Sequence, residues 1–309
     1  MDATPLNMVP ELATWRQQTL KAPIGCVGVG LHSGLRVNMT LRPAPADHGI
    51  VFRRTDLGIE IPARFDHVVD TRLATVLGLD DGIARIGTVE HLMAALAGSL
   101  IDNAMVEVDG PELPILDGSA APYQFLLDCA GSVEQDAPRT VIHVNRRVHV
   151  SEGDAFAEFR PASPGRTHLH MAMSIDFSAA AIGRQALSLE LTPENFRREL
   201  ARARTFTLVQ EIDRMRAAGF ARGGSLDNAV VVDQARVLNP AGLRMPDEFA
   251  RHKLLDAVGD LALAGAQISG RFIAHRSGHA LNNRLLRALF SEATARQETS
   301  MEPLVAEAA

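Results

Sequence analysis

The sequence predicts an α+β fold of two units, each a sheet packed with helices in two layers. Three observations carry this. Short strand-like runs are followed by helical patterns, and that order occurs twice without strict β–α alternation. A polar segment with Gly and Pro, residues 131–139, separates the two occurrences and reads as a domain linker. The apolar fraction is 46%, yet there is one Trp and one Tyr, so the core must be aliphatic, which suits sheets packed on helices.

The expected domains span 16–134 and 139–295. Residues 1–15 read as an extension of uncertain structure. In the first domain, Val37–Leu41 alternates before a Pro-rich turn, and Ala104–Val108 alternates before Asp109-Gly110-Pro111. One helix is expected from Thr88, as N-cap, to Gly98, and another from Ser119 to near Gly131. In the second, Ile142, Val144, Val148 and Val150 share one parity, interrupted by Arg146. Thr167, Leu169, Met171, Met173 and Ile175 alternate cleanly. Helical patterns follow at 193–203 and 205–217, then an apolar strand at 229–232. A helix runs from Pro246 to about Ala264 and a last one over 280–294, and the final dozen residues read as frayed.

Composition excludes several function classes. A net charge of −6 gives no general attraction to nucleic acid or anionic lipid. Two distant cysteines, Cys26 and Cys129, form no CxxC pair, which argues against a disulfide framework and thiolate zinc. Cys129 lies in an apolar run and is expected to pack. The start of the chain lacks the basic and apolar regions of a signal peptide, and no apolar run has the length of a membrane span. The expected compartment is the cytosol, with no stable membrane insertion; a monomer is the default.

Three segments carry metal and acid–base chemistry. In Thr88-Val89-Glu90-His91-Leu92, a carboxylate precedes a histidine at a helix start, and the two side chains leave the axis about 100° apart. In Arg251-His252-Lys253-Leu254-Leu255-Asp256, His252 and Asp256 stand at i and i+4 on one helix face, and Asp260 extends the stripe. In Ser277-Gly278-His279-Ala280-Leu281-Asn282-Asn283, a histidine follows Ser-Gly at a loop-to-helix junction.

Together these suit a hydrolytic zinc site. Catalytic zinc commonly takes three protein ligands and keeps a position for water, and His91, His252 and Asp256 supply such a set. Zinc lowers the pKa of its water from about 15.7 to roughly 7. Glu90 is then the candidate base, and His279 the candidate acid for the leaving amine, held protonated by Asp260. Ferrous iron accepts the same ligands. The HExxH motif is absent. A rival pair, His168 and His170, shares one strand face but has no third ligand nearby, and otherwise reads as a polar face; His143 and His149 are similar.

At this point the chain resembles the UDP-3-O-acyl-N-acetylglucosamine deacetylases. The resemblance rests on these three segments and on Gly28-Val29-Gly30-Leu31-His32-Ser33-Gly34, Leu41-Arg42-Pro43-Ala44-Pro45, Asp117-Gly118-Ser119-Ala120-Ala121-Pro122, Ala203-Arg204-Thr205-Phe206 and Gly223-Gly224-Ser225-Leu226-Asp227-Asn228. They cover about residues 16–295 in the family's order. The resemblance implies two domains of similar topology with the active site in the cleft between them. It implies hydrolysis of the 2-acetamido group of an acylated UDP-sugar, releasing acetate, in lipid A biosynthesis. It carries the ligand roles to His91, His252 and Asp256, the base to Glu90, the acid to His279 and its support to Asp260.

Other roles come from the resemblance alone. Thr205 would donate its hydroxyl to the oxyanion; an N-cap is the structural alternative. Phe206 would lie along the sugar, Lys253 would meet phosphate or sugar oxygens, and Gly224 would border the substrate. Ile212 and Val231 would line an apolar passage for the fatty chain, although residues 207–212 match the family pattern less closely. Two rivals remain at this level: a zinc amidohydrolase for another N-acyl sugar, and a silent sugar-nucleotide binder.

Overall fold

The computed structural model describes residues 15–79, 82–164, 166 and 168–301. The extension before residue 15, Thr167 and the tail from residue 302 lie outside the described residues.

Two five-stranded sheets dominate. The first runs in the order Ile24–Val29, Arg36–Pro43, Ala104–Val108, Ile50–Arg54, Ile59–Pro62. The second runs Val148–Glu152, Ala155–Arg160, Arg271–His275, His170–Asp176, Arg184–Glu190. Across each sheet the pairings are antiparallel, antiparallel, parallel, antiparallel. The central strand of each sheet is therefore the last to be added, and it follows a helix.

The helices repeat this order. In the first half α1 (Glu90–Gly98) precedes the closing strand and α2 (Ala121–Ala130) follows it. In the second half come a short α3 (Pro193–Asn195), which continues as a π-helical turn to Leu200, and α4 (Val209–Ala217). There α5 (Glu248–Ala262) precedes the closing strand and α6 (His279–Ser291) follows it. This is the expected α+β architecture of two similar units.

Helices α1 and α5 pack on each other between the sheets, which explains why nearly all of α1 is buried, polar residues included. The contact is close because residue 259 is glycine: a Cβ there would stand 2.0 Å from the carbonyl oxygen of Glu90. One continuous core spans both halves, and it is not purely aliphatic as expected, since Phe52, Tyr123, Phe159, Phe196, Phe249 and Phe272 are fully buried in it.

Each half also inserts a small three-stranded sheet. Val68–Asp70, Val76–Gly78 and Arg85–Ile86 form the first; Phe206–Leu208, Val230–Asp233 and Arg236–Val237 form the second. In the second insertion α4 connects two parallel strands, and its residues are exposed or half-buried.

Several expectations change in detail. Segment 131–139 is not irregular, since Ser132–Pro138 is a strand paired with Arg16–Leu20. Thr88 does not cap α1: it takes φ +57° and its hydroxyl donates to Glu112. Residues 206–208 are strand rather than helix, because they pair with Val230–Val232. The parity run 142–150 splits into two strands of different sheets, Thr140–Val144 and Val148–Glu152. The expected fraying begins too early, as Arg296–Ser300 pairs with Thr140–Val144. Cys129 is exposed rather than packed.

Candidate active site

The contact between α1 and α5 places the first turn of α1 beside the middle of α5, and the cleft opens there. His91, His252 and Asp256 are all buried, and one ligand atom from each lies within 4.8 Å of the others. His252 Nε2 is 3.2 Å from Asp256 Oδ1, and His91 Nε2 is 3.7 Å from the same oxygen. The i, i+4 spacing on α5 places the first pair; His91 arrives from the other half.

The second nitrogen of His252 decides its tautomer. Nδ1 donates to the carbonyl of Ala203 at 3.0 Å, which leaves the Nε2 lone pair facing Asp256. Burial pushes the imidazole down to about 4, and the neighbouring Asp256 offsets this only in part, so His252 is neutral near pH 7. Burial opposes ionisation of Asp256, but positive charge beside it, that of Lys253 included, outweighs this and holds the carboxyl well below its usual range. Lys253 Nζ donates to Asp256 Oδ2 at 2.9 Å, whereas buried Oδ1 has no hydrogen-bond donor. The free Nε2 of His252 and the unpartnered Oδ1 of Asp256 thus converge with His91 on one buried point. Such a donor set suits a divalent cation. The residues fit a metal.

Glu90 and His279 line the same cleft as these three residues. Glu90 Oε1 is 3.8 Å from His279 Nε2, and Glu90 Oε2 accepts the Thr75 amide at 3.0 Å. Burial pushes the Glu90 carboxyl up. Burial would push His279 down, but Asp260 and Glu90 outweigh it and hold the imidazolium at about 9. Nδ1 of His279 donates to Asp260 Oδ2 at 2.9 Å. Asp260 in turn accepts from the Thr75 hydroxyl and from Asn282 Nδ2 at 2.8 Å. The orienting carboxylate is therefore itself fixed.

Thr205, Phe206 and Lys253 line the same cleft, with Thr207, Leu208, Phe177 and Leu31 continuing its wall. Phe206 packs edge-on against Phe249 and Phe177. Thr205 caps no helix; its amide and carbonyl are both held by neighbouring backbone. Gly224, Ile212 and Val231 are not among the cleft-lining residues. Gly224 packs beside Leu31, Ile212 is half-buried on α4, and Val231 is buried with its amide on Asn239. The rival His170 is elsewhere, on the second sheet, where its Nε2 meets Ser188.

Sequence reasoning gave no role to Thr75, Asn282 or His32, although Asn282 stood in the segment Ser277-Gly278-His279-Ala280-Leu281-Asn282-Asn283. His32 also lines the cleft, and neither ring nitrogen has a hydrogen-bond partner. Burial pushes its imidazole down. Its only sequence signal was its place within Gly28–Gly34. Thr75 carried none, because it reaches Asp260 from 185 residues away.

Comparison with known proteins agrees with this geometry. A family model described as UDP-3-O-acyl N-acetylglycosamine deacetylase matches residues 17–291. A UDP-3-O-acyl-N-acetylglucosamine deacetylase of Myxococcus xanthus is 50% identical over 282 residues, covering 91% of this chain and 88% of its own. That of Actinobacillus pleuropneumoniae serotype 3 is 48% identical over 291 residues, covering 93% and 94%. That of Stenotrophomonas maltophilia is 49% identical over 289 residues, with the same coverage.

Proposed function

The chain belongs to the UDP-3-O-acyl N-acetylglycosamine deacetylase family and is a deacetylase, and from that premise we propose that it hydrolyses the N-acetyl group of UDP-3-O-acyl-N-acetylglucosamine, releasing acetate, in lipid A biosynthesis. The observation that carries the reading is the close pair Glu90 and His279 in the cleft where His91, His252 and Asp256 converge. Metal-binding sites are common; one flanked by a carboxylate and a separately held imidazolium is suited to amide hydrolysis.

His91, His252 and Asp256 hold the metal, which we take to be Zn2+, with Fe2+ compatible with the same donors. When bound, the ion supplies Lewis-acid polarisation of the acetyl carbonyl and lowers the pKa of water. Glu90 takes the proton of the attacking water. Thr205 presents its hydroxyl to the oxygen on which negative charge develops. His279 delivers a proton from Nε2 to the leaving amine, while its Nδ1–H stays on Asp260. The C–N bond breaks, leaving acetate and the free amine.

Lys253 meets phosphate or sugar oxygens, and Phe206 lies along the sugar. The fatty chain follows the wall of Leu31, Phe177, Phe206 and Leu208. Val231 supports that wall, since it pairs beside Thr207, and Ile212 and Gly224 belong to the same insertion. Units 16–134 and 139–295 form the two domains, and the protein acts as a cytoplasmic monomer. No helix among the described residues is long and apolar enough to cross a membrane.

The test is acetate release from UDP-3-O-acyl-N-acetylglucosamine by the purified protein, before and after chelation, with zinc or anaerobic ferrous iron added back. Metal-restored release is expected. A folded, metal-loaded protein that releases no acetate would overturn the substrate assignment.

A further inference from the structure

Thr205 belongs to the second half, yet its backbone amide is held by the first. Its amide donates to the carbonyl of Gly118 at 2.8 Å, and its own carbonyl accepts the Val230 amide at 2.8 Å. The hydroxyl's position therefore depends on where the loop Asp117–Ser119 stands.

That loop is fixed from both sides. Gly118 takes φ +82°, and a Cβ there would stand 1.9 Å from the carbonyl oxygen of Asn228. Asn228 folds its own loop, accepting the Ser225 amide at 2.8 Å and donating to the Gly223 carbonyl at 2.9 Å. On the other side Arg244 reaches across from the second half. Its Nη2 is 2.9 Å from Asp117 Oδ2, and its Nη1 donates to Ser119 Oγ at 3.3 Å and to the Arg202 carbonyl at 3.0 Å. Asp117 Oδ1 meanwhile accepts the Ser119 amide at 3.0 Å.

Arg244 is anchored in turn. Its amide donates to Glu248 Oε2 at 2.7 Å, and Arg204, which precedes Thr205, donates through Nε to Glu248 Oε1 at 2.8 Å. Glu248 is fully buried and lies in the first turn of α5, one turn before His252. One carboxylate thus ties the segment of Thr205, the anchor of Arg244 and the helix of the ligands together.

We propose that Arg244 and Asp117, acting through the loop at Gly118, form a latch between the halves that positions the Thr205 hydroxyl over the reacting carbonyl. Arg244 and Asp117 are positioning residues; neither lines the cleft. The inference rests on the role given to Thr205 under the proposed function. A catalytic group displaced by about 1 Å loses up to about a hundredfold in rate, whereas substrate affinity need not follow. The latch therefore acts on kcat.

The experiment is a double-mutant cycle on the metal-loaded enzyme, with kcat, KM and metal content measured for Arg244→Ala, Thr205→Ala and the pair. Arg244→Ala should lower kcat by about tenfold or more with KM and metal content little changed. The double variant should match Thr205→Ala within about twofold, because both remove the same interaction. Arg244→Lys, which keeps one ionic contact, should recover part of the loss. Asp117→Asn, which keeps the contact to Ser119 and removes the charge facing Arg244, should reproduce Arg244→Ala if the latter folds poorly. Additive losses, or a fall shared with metal content, would overturn the latch in favour of a structural role. Unchanged kcat in Thr205→Ala would overturn it by removing the role of Thr205. Absence of acetate release from the unmodified enzyme would instead strike the proposed function itself.

Discussion

His279 Nδ1 and Asp260 Oδ2 stand 2.9 Å apart, a loop-to-helix junction meeting the last turn of α5. This contact, with Glu90 on the other ring nitrogen, overcomes the burial that would otherwise deprotonate the imidazole. The protonated ring is thereby favoured in the protein without substrate.

In metal-free protein, the His279 ring should titrate near 9 by NMR, and Asp260→Asn should move its midpoint down by more than one unit. The folded value is raised above the unfolded one of about 6.5. The group's contribution to stability is thus fully present below about 6.5 and is lost as pH rises through about 9. A shift of that size corresponds to roughly 3 kcal/mol. Urea melts of metal-free wild type and Asp260→Asn, compared at pH 6 and pH 10, should therefore converge at the alkaline end. Equal differences at both values would refute the linkage.

Glu90→Gln should retain stoichiometric metal and lose about 10² to 10⁴ in kcat, the range expected for a general base. Gln keeps the side-chain shape and an acceptor for the Thr75 amide, so melting should change little. Loss of metal with loss of activity would recast Glu90 as a ligand.

Replacing His91, His252 or Asp256 with Ala should each abolish stoichiometric metal in elemental analysis. Saturating metal at about 100 times its Kd should stabilise the wild type by about 2.7 kcal/mol, and the variants by nothing. A ligand variant that melts upward with zinc as the wild type does would show that the ion sits elsewhere.

Gly259→Ala should separate α1 from α5, because the new Cβ would stand 2.0 Å from the Glu90 carbonyl oxygen. Overpacking of this kind costs about 1–3 kcal/mol. Metal affinity should fall too, since His91 rides on one helix and His252 and Asp256 on the other. Wild-type melting and metal affinity in this variant would refute the close contact as the feature that assembles the site.

The sequence by itself determined the helix that holds two of the three proposed ligands. His252 and Asp256 stand one turn apart on a continuous apolar-periodic segment, so local geometry alone puts them together. It likewise determined the strand alternation of Met171, Met173 and Ile175, whose side chains are all buried. The neighbouring run 142–150 misled, because parity survives a break in the chain path: Val144 and Val148 are both buried, but in different sheets. Thr88 and residues 206–208 misled because long-range partners, Glu112 and Val230–Val232, outweighed local propensity. Only the tertiary structure decided that His91 joins the α5 pair, that Thr75 fixes Asp260, and that Gly118 holds Thr205 from the other half. Each of these contacts links residues distant in sequence across the packed halves. The first of them follows from how closely α1 and α5 approach, which depends on a missing side chain at Gly259 and carries no periodic signal.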